Sequence, residues 1–374
     1  MPNKSRNPEW GALRQCTVPQ SIAEPVSTDP LPASSMLKRA VRLGRKFQNP
    51  VPTSVGDFSL ILKMIPLYLT NREERVPKRQ LGPFVTSPDL YTRPPASGLR
   101  ITWFGHSILL VEIDGVRVLI DPVWDERASP MSWAGPKRFF PSPLPLEKLP
   151  EIDVILFSHD HYDHMGEQTV RKLVTLPAAA RAQWIVPLEV STVLRKFGAP
   201  AKRILELDWT ESTSIRSPRT GASLTITAIP SRHFSGRSLR NRFETLWASY
   251  ALKGGEHNVY YGADSGYWDG YAEIGQHYGP FDLTMLEIGA WNQLWEQIHM
   301  GPDGAMRAFE AMGARGLLMP IHWGLFDLAL HAWRTPIERI TELADERGIQ
   351  LWSPPPGAPT ECEKGVELRS SWWR

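Results

Sequence analysis

An apolar run that stops abruptly in a cluster of ionisable side chains constrains this chain more than any other feature. Asp153-Val154-Ile155-Leu156-Phe157-Ser158 is followed without a gap by His159-Asp160-His161-Tyr162-Asp163-His164. The first run predicts a buried strand, so the imidazoles and carboxylates leave its carboxy end together. A buried carboxylate costs several kcal/mol unless it is paired or holds a cation. Packing alone does not account for three imidazoles beside carboxylates, and the cluster points to two metal ions and a hydrolytic reaction.

The surrounding pattern places that loop in a layered fold. The folded core is expected to begin near residue 99, with apolar, β-branched strands at 101–104, 108–113 and 116–120. Asp114-Gly115 joins the last two as a two-residue hairpin. Further strands are expected at 183–187, 223–229, 247–252, 258–262, 281–288 and 316–321. Helical patterns follow Met165 and fall at 189–197, 268–277, 302–312 and 336–347. Two batches of strands with helices between and outside predict an α/β fold of the αββα sandwich type.

If catalytic groups gather on loops along one sheet edge, the remaining ligands should also follow strands. His233 comes after Ala228-Ile229-Pro230, Asp264 after Val259-Tyr260-Tyr261-Gly262-Ala263, and His322 after Leu317-Leu318-Met319-Pro320-Ile321. The seven residues divide into His159, His161 and His233 for one ion and Asp163, His164 and His322 for the other, bridged by Asp264. Mixed imidazole and carboxylate ligation suits two Zn2+, with Fe2+ or Mn2+ as alternatives. Two ions about 3.5–4 Å apart would share a bridging hydroxide. Asp163 and Asp264 are the candidate catalytic carboxylates. His331 and Tyr162 are candidates for contacts to the leaving group or to the metal ligands; loop packing is the better explanation of Tyr162 and an equal one for His331. His106, His257, His277 and His299 receive no metal role from spacing.

Several classes are disfavoured. The 374 residues carry a net charge of only +2, which gives no global attraction for nucleic acid. The two cysteines, Cys16 and Cys362, form no Cys-x-x-Cys metal site and no disulfide framework, fitting a reducing, cytoplasmic setting. The first residues lack the apolar stretch of a signal peptide, and no run of about 18 apolar residues is present. Residues 1–35 are polar and proline-rich, and are expected to form a disordered or mobile arm. Residues 36–98 form an N-terminal extension, and 99–374 the catalytic domain. Within the extension, 36–47 carries five basic side chains among apolar ones; as a short helix it would either lie on an anionic bilayer or pack on the domain. The apolar stretch 58–69 would serve a membrane or a homodimer interface.

The cluster resembles the His-x-His-x-Asp-His loop of the metallo-β-lactamase superfamily. More specifically, the chain resembles the N-acyl-phosphatidylethanolamine-hydrolysing phospholipase D family. The likeness runs through Asp121-Pro122-Val123-Trp124, Gly135-Pro136-Lys137-Arg138-Phe139, Ser231-Arg232-His233, Gly262-Ala263-Asp264-Ser265-Gly266 and Ile321-His322-Trp323-Gly324. It covers about residues 47–350. The resemblance implies the metallo-β-lactamase αββα sandwich, a two-zinc site at the seven ligands named above, and release of phosphatidic acid and an N-acylethanolamine. It also implies a homodimer. The expected partner is a phospholipid at a membrane surface, reached peripherally, on the inner face if the protein is cytoplasmic. Lys137 and Arg138 are candidates for anionic headgroups, or are simply solvated. Two other readings stand beside this one: the same site acting on a soluble phosphodiester or a sugar-phosphate lactone, and a non-catalytic lipid-binding scaffold.

Overall fold

The structure is a computed structural model, and it describes residues 24–25, 31–32, 34–56, 66–67, 70, 72–361 and 368–374. Most of the expected arm, and most of the apolar stretch 58–69, lie outside the described residues. Within the arm, β1 (Glu24–Pro25) pairs with Thr213 and Ser214 at the edge of a sheet.

The expected helix over 36–47 is not formed. β2 (Arg42–Leu43) and β3 (Lys46–Phe47) make a small hairpin, turned at Gly44 with φ 59°, a conformation glycine adopts without steric cost. Leu37 and Phe47 are buried in the main core. The basic residues face the domain's own acids: Arg39 pairs with Asp208 and Glu211, Arg42 with Glu189 at 2.8 Å, and Arg45 with Glu244 at 3.4 Å. Burial of two apolar side chains on one side and local charge pairing on the other favour the hairpin over a free amphipathic helix. Leu81 and Tyr91 join the same core, so side chains from the extension pack with those that follow residue 99.

The first large sheet is built by β4 (Leu99–Trp103), β5 (Leu109–Ile113), β6 (Val116–Ile120), β7 (Val154–Leu156), β8 (Gln183–Pro187) and β9 (Ile204–Leu207). The first three strands form an antiparallel meander and the last four run parallel. Asp114 and Gly115 both take positive φ, 46° and 88°, as a tight hairpin between twisted strands requires. The parallel strands are linked through α1 (Glu167–Thr175) and α2 (Ser191–Lys196). Every residue of β4 to β8 is buried, which explains why apolar residues fall on both faces of these strands; the buried Arg100 and Arg117 pair with Glu112.

The second sheet contains β1, β10 (Ser212–Arg216), β11 (Ser223–Ile229), β12 (Ser249–Lys253), β13 (Asn258–Tyr261), β14 (Leu283–Glu287) and β15 (Leu317–Ile321). It is antiparallel up to β13 and parallel from β13 to β15. α3 (Gly270–Tyr278) and α4 (Gly301–Ala311) make its crossovers, and α5 (Thr335–Arg347) follows β15. A short β16 (Thr360–Glu361) returns to the free edge of β4. Tyr250 in β12 donates a hydrogen bond to the Phe157 carbonyl, and the Ala248 amide to that of Ser158, so the two sheets meet where the ligand loop begins.

Candidate metal centre

Each half of the sandwich delivers its candidate ligands from strand ends. The loop after β7 carries His159, His161, Asp163 and His164; His233 follows β11, Asp264 follows β13, and His322 follows β15 directly. The fold brings all seven together. The ligand atoms of His159, His161, His233 and Asp264 lie within 4.8 Å of one another, and so do those of His106, Asp163, His164 and His322. Asp264 sits between the groups: Oδ1 is 3.2 Å from His164 Nε2, while Oδ2 is 3.1 Å from His322 Nε2 and 3.6 Å from His233 Nε2.

The backbone is bent hard to achieve this. His106, Asp121, Ala263 and His322 all have φ between 41° and 62°, the left-handed region that side chains with a Cβ seldom occupy. Such strain persists only where the surroundings over-determine it. At His322 the surroundings are explicit: its amide donates to the His106 carbonyl, the His106 amide donates to Trp323 O, and Trp103 Nε1 donates to His106 O. Gly289 approaches so closely that an added Cβ would stand 1.9 Å from His322 O.

The rings are aimed by partners behind them. Asp121 is fully buried and accepts from His164 Nδ1 (2.7 Å), the Ser158 amide (2.7 Å) and the hydroxyls of Ser158 and Tyr261. Ser158 Oγ also accepts from His159 Nδ1 at 2.9 Å, and the Ile298 carbonyl accepts from His233 Nδ1 at 2.9 Å. Each bond places the proton on Nδ1 and leaves the Nε2 lone pair facing the cluster, the usual means of setting a metal-binding tautomer.

The charge balance is that of a site made for cations. Burial would raise Asp163 and Asp264, yet the neighbouring imidazoles, His164 foremost, hold both well below the usual carboxylate range. Burial opposes a charge on His322 and His164, but Asp264 leads a set of carboxylates that pushes His322 up to about 10 and His164 well above its ordinary value. His159 and His233 are driven well below theirs by burial and by their imidazole neighbours. Protons on His164 and His322 thus occupy positions that cations would fill.

Two observations test the fit to divalent ions. Ligand atoms about 2.0–2.1 Å from a tetrahedral ion sit about 3.3 Å from each other. The separations here include 2.9 Å between His159 Nε2 and His161 Nδ1 and 3.9 Å between His159 Nε2 and Asp264 Oδ2, all within 4.8 Å in each group. In addition, His164 Nε2, Asp264 Oδ1 and His322 Nε2 are buried and, although the imidazoles stand 3.1–3.2 Å from Asp264, their geometry forms no hydrogen bond, which is costly unless something else satisfies them. The donor set fits two ions of the imidazole-preferring kind.

The remaining sequence candidates are placed differently. His331 lies outside the ligand groups; it lines a small adjoining cavity that also touches His322, and its Nδ1 donates to the Ala332 carbonyl. Tyr162 donates to the Arg237 carbonyl and lies beneath the Arg237 guanidinium at 3.9 Å. Lys137 pairs with Glu126 at 2.7 Å, and Arg138 is half-buried with one nitrogen donating to Trp124 O.

Spacing also passed over residues that matter here. His106 Nε2 is 3.0 Å from Asp163 Oδ2, and its ring packs 4.0 Å from that of His322. Burial first, then His322, lowers it to about 3, so it is neutral and donates to Asp163. It stands three residues beyond β4, and the strand-end argument that selects His233 applies to it equally. His299 donates from Nδ1 to the fully buried Glu287, whose other oxygen accepts from the amides of Ser265 and Met300. Arg237 donates to the carbonyls of Asp160 and Met165, tying down both ends of the ligand loop. No pattern around Arg237 or Glu287 announces these roles.

A pocket of about 270 Å³ opens above the cluster. Its floor is His161, Asp163, Asp264 and His322, and its walls include Val55, Phe234, Trp295, Ile298 and Leu328. The segment before Val55 is pinned across the opening: Asn49 donates to His233 O, Arg232 to Pro52 O and Thr53 Oγ1, and the Ser54 amide to Gln297.

A two-sheet sandwich with an imidazole–carboxylate cluster along its shared edge defines the metal-dependent hydrolases of the metallo-β-lactamase fold. The family model described as the beta-lactamase superfamily domain matches residues 116–323, and the chain belongs to this superfamily and, within it, to the family of N-acyl-phosphatidylethanolamine-hydrolysing phospholipases D. It is 32% identical to the N-acyl-phosphatidylethanolamine-hydrolyzing phospholipase D 1 of Caenorhabditis elegans, with 86% of this chain and 93% of that protein covered. It is 45% identical to an uncharacterized protein of Mycobacterium tuberculosis over 78% of this chain and 75% of that one. Among solved structures, an isothiocyanate hydrolase from Delia radicum gut bacteria superposes with a TM-score of 0.54 at 21% identity, covering 70% of this chain and 98% of that chain. At that identity the likeness concerns the fold.

Proposed function

We propose that the protein is a phosphodiesterase of the phospholipase D type, hydrolysing N-acyl-phosphatidylethanolamine or a related phospholipid. The observation that carries this reading is the pocket: four of the converging residues, His161, Asp163, Asp264 and His322, form its floor beneath a wall of Val55, Phe234, Trp295, Ile298 and Leu328. An amphiphile with an anionic centre and an apolar tail suits both surfaces. When bound, two divalent cations would supply Lewis acidity to phosphate oxygens and lower the pKa of water. Asp163 and Asp264 remain anionic and hold that charge in place, with Asp163 steadied by the N–H of His106. Asp121 and Ser158 keep His164 and His159 in their ligating tautomers. In the reaction water adds to phosphorus, the bond from phosphorus to the N-acylethanolamine oxygen breaks, and that oxygen leaves with a proton as the alcohol.

Peripheral contact with a membrane belongs to the same proposal. Trp133 (76% exposed) and Met131 stand out from the loop that precedes Lys137, and indole rings settle at lipid–water boundaries. Among the described residues no helix is long and apolar enough to cross a membrane. A second reading, a small soluble phosphodiester, is favoured by the modest pocket volume. The deciding experiment presents the zinc-loaded protein with N-acyl-phosphatidylethanolamine in mixed micelles. Release of N-acylethanolamine is expected; full metal occupancy without release removes this lipid class.

A further inference from the structure

Arg242 is the one guanidinium or ammonium group among the described residues that line the pocket. Its Nη1 donates to the Gly56 carbonyl at 3.0 Å, and its guanidinium lies 5.3 Å from the centre of the Phe234 ring. Among the described residues no carboxylate pairs with it. Burial alone pulls its pKa down, with no acidic neighbour to pull it back. A guanidinium offers five N–H donors in a planar fork, and a single carbonyl uses one of them. Elsewhere in this chain the arginines near the site are consumed structurally: Arg237 by two loop carbonyls and Arg232 by three groups of the neighbouring segments.

The backbone under Arg242 is fixed. The Phe243 amide donates to Ser235 O, closing the loop that leaves His233, and Phe243 itself has φ 67°. Gly236 packs so tightly there that a Cβ would stand 2.9 Å from Arg242 Cα. A cation whose anchor is rigid and whose ring support is in place loses little freedom on taking up a ligand.

We infer that Arg242 is a substrate-recognition residue, binding an anionic oxygen of a phosphate group held over the metal cluster. The inference rests on the phosphodiesterase reading for the substrate, but the anion site itself can be tested without turnover. The ligand chemistry is a phosphoryl oxygen, taken by a planar fork matched to it; it could belong to a lipid headgroup or to a soluble diester.

The zinc-loaded full chain is titrated with inorganic phosphate by calorimetry, alongside Arg242→Gln and Arg242→Lys, with zinc content measured for each. Loss of one charge-assisted fork corresponds to a weakening of about tenfold or more. Arg242→Gln is expected to lose at least that, and Arg242→Lys less. Unchanged phosphate affinity in a zinc-replete Arg242→Gln protein overturns the inference. If that variant misfolds, the wild type supplies the answer: phosphate should slow modification of Arg242 by phenylglyoxal, read by peptide mass, and an unaltered rate overturns the inference. In turnover, Arg242→Gln should raise KM with kcat little changed, for N-acyl-phosphatidylethanolamine if the anion is a headgroup, and for bis(4-nitrophenyl) phosphate if it is soluble. Phosphate binding that depends on Arg242 without hydrolysis of either diester would leave the anion site standing and remove the phosphodiesterase reading.

Discussion

Asp264 and Asp121 illustrate two ways in which one carboxylate governs this site. Asp264 lies within reach of His164, His322, His233 and His159, so both halves of the cluster depend on it. Asp264→Ala should lower bound zinc below two per chain and cut turnover by about a thousandfold or more; retention of full activity would dispose of a two-metal mechanism. Asp121 touches no ion position but orients His164. Asp121→Asn should weaken metal affinity by about 10–100-fold, measurable by competition with a chromophoric chelator. The titration of the site has a definite sign. The carboxylates around His322 hold its pKa at about 10 and keep His164 high as well, so at neutral pH both carry protons that a metal must displace. Metal binding should therefore release protons, and affinity should climb with pH from neutrality towards about 10. Calorimetry in buffers of different ionisation enthalpy would count the protons. In the metal-free protein the His322 contribution to stability runs the other way: it is complete below about 6.5, the ordinary histidine value, and is lost as pH rises through about 10.

At the level of elements, the site depends on how closely β14, β15 and their loops approach. Gly289, just past β14, lies against the His322 carbonyl, and Trp323 stacks on both Trp103 and Trp372 at 5.2 Å from each, with those two rings 5.9 Å apart. Gly289→Ala must push the His322 turn away. Its expected signature is a fall in zinc affinity of about tenfold or more with the circular dichroism of the sandwich retained. Strand β7 bears a different burden: Ile155 is fully buried, and Ile155→Ala should cost about 2–5 kcal/mol in denaturant unfolding. Much of this was legible in the sequence. Buried strands such as β5, β6 and β7 announce themselves by dense apolar, β-branched residues, and an ionisable residue that ends such a run is visible. β10, reading Ser-Thr-Ser-Ile-Arg, and the short, half-exposed β9 carry no comparable signal. The hairpin at 42–47 was hidden because Arg42 and Arg45 find their acids at Glu189 and Glu244, far along the chain. That His159, His161, His233, Asp264 and His322 converge could be read from position alone. Glu287 and Arg237 could not, because their roles arise only from three-dimensional contact with loops distant in sequence.

For the whole molecule, metal and fold are thermodynamically linked. An ion that binds only the native state at a thousand times its dissociation constant adds about 4 kcal/mol of stability. Stripping with EDTA should therefore lower the melting temperature by several degrees, and zinc should restore it. An unmoved melting temperature would mean that the cluster does not hold the ions.

The division of the ligands between the sheets has a consequence for assembly. The group around His159 draws two ligands from the first half of the chain and two, His233 and Asp264, from the second. Asp163 and His164 likewise need His322 and Asp264. Neither half owns a complete set for either ion, so bound ions would act as rivets across the seam of the sandwich. A chain nicked between β9 and β10 should regain zinc only when both pieces recombine, which makes bound metal a direct gauge of whether the two halves have met.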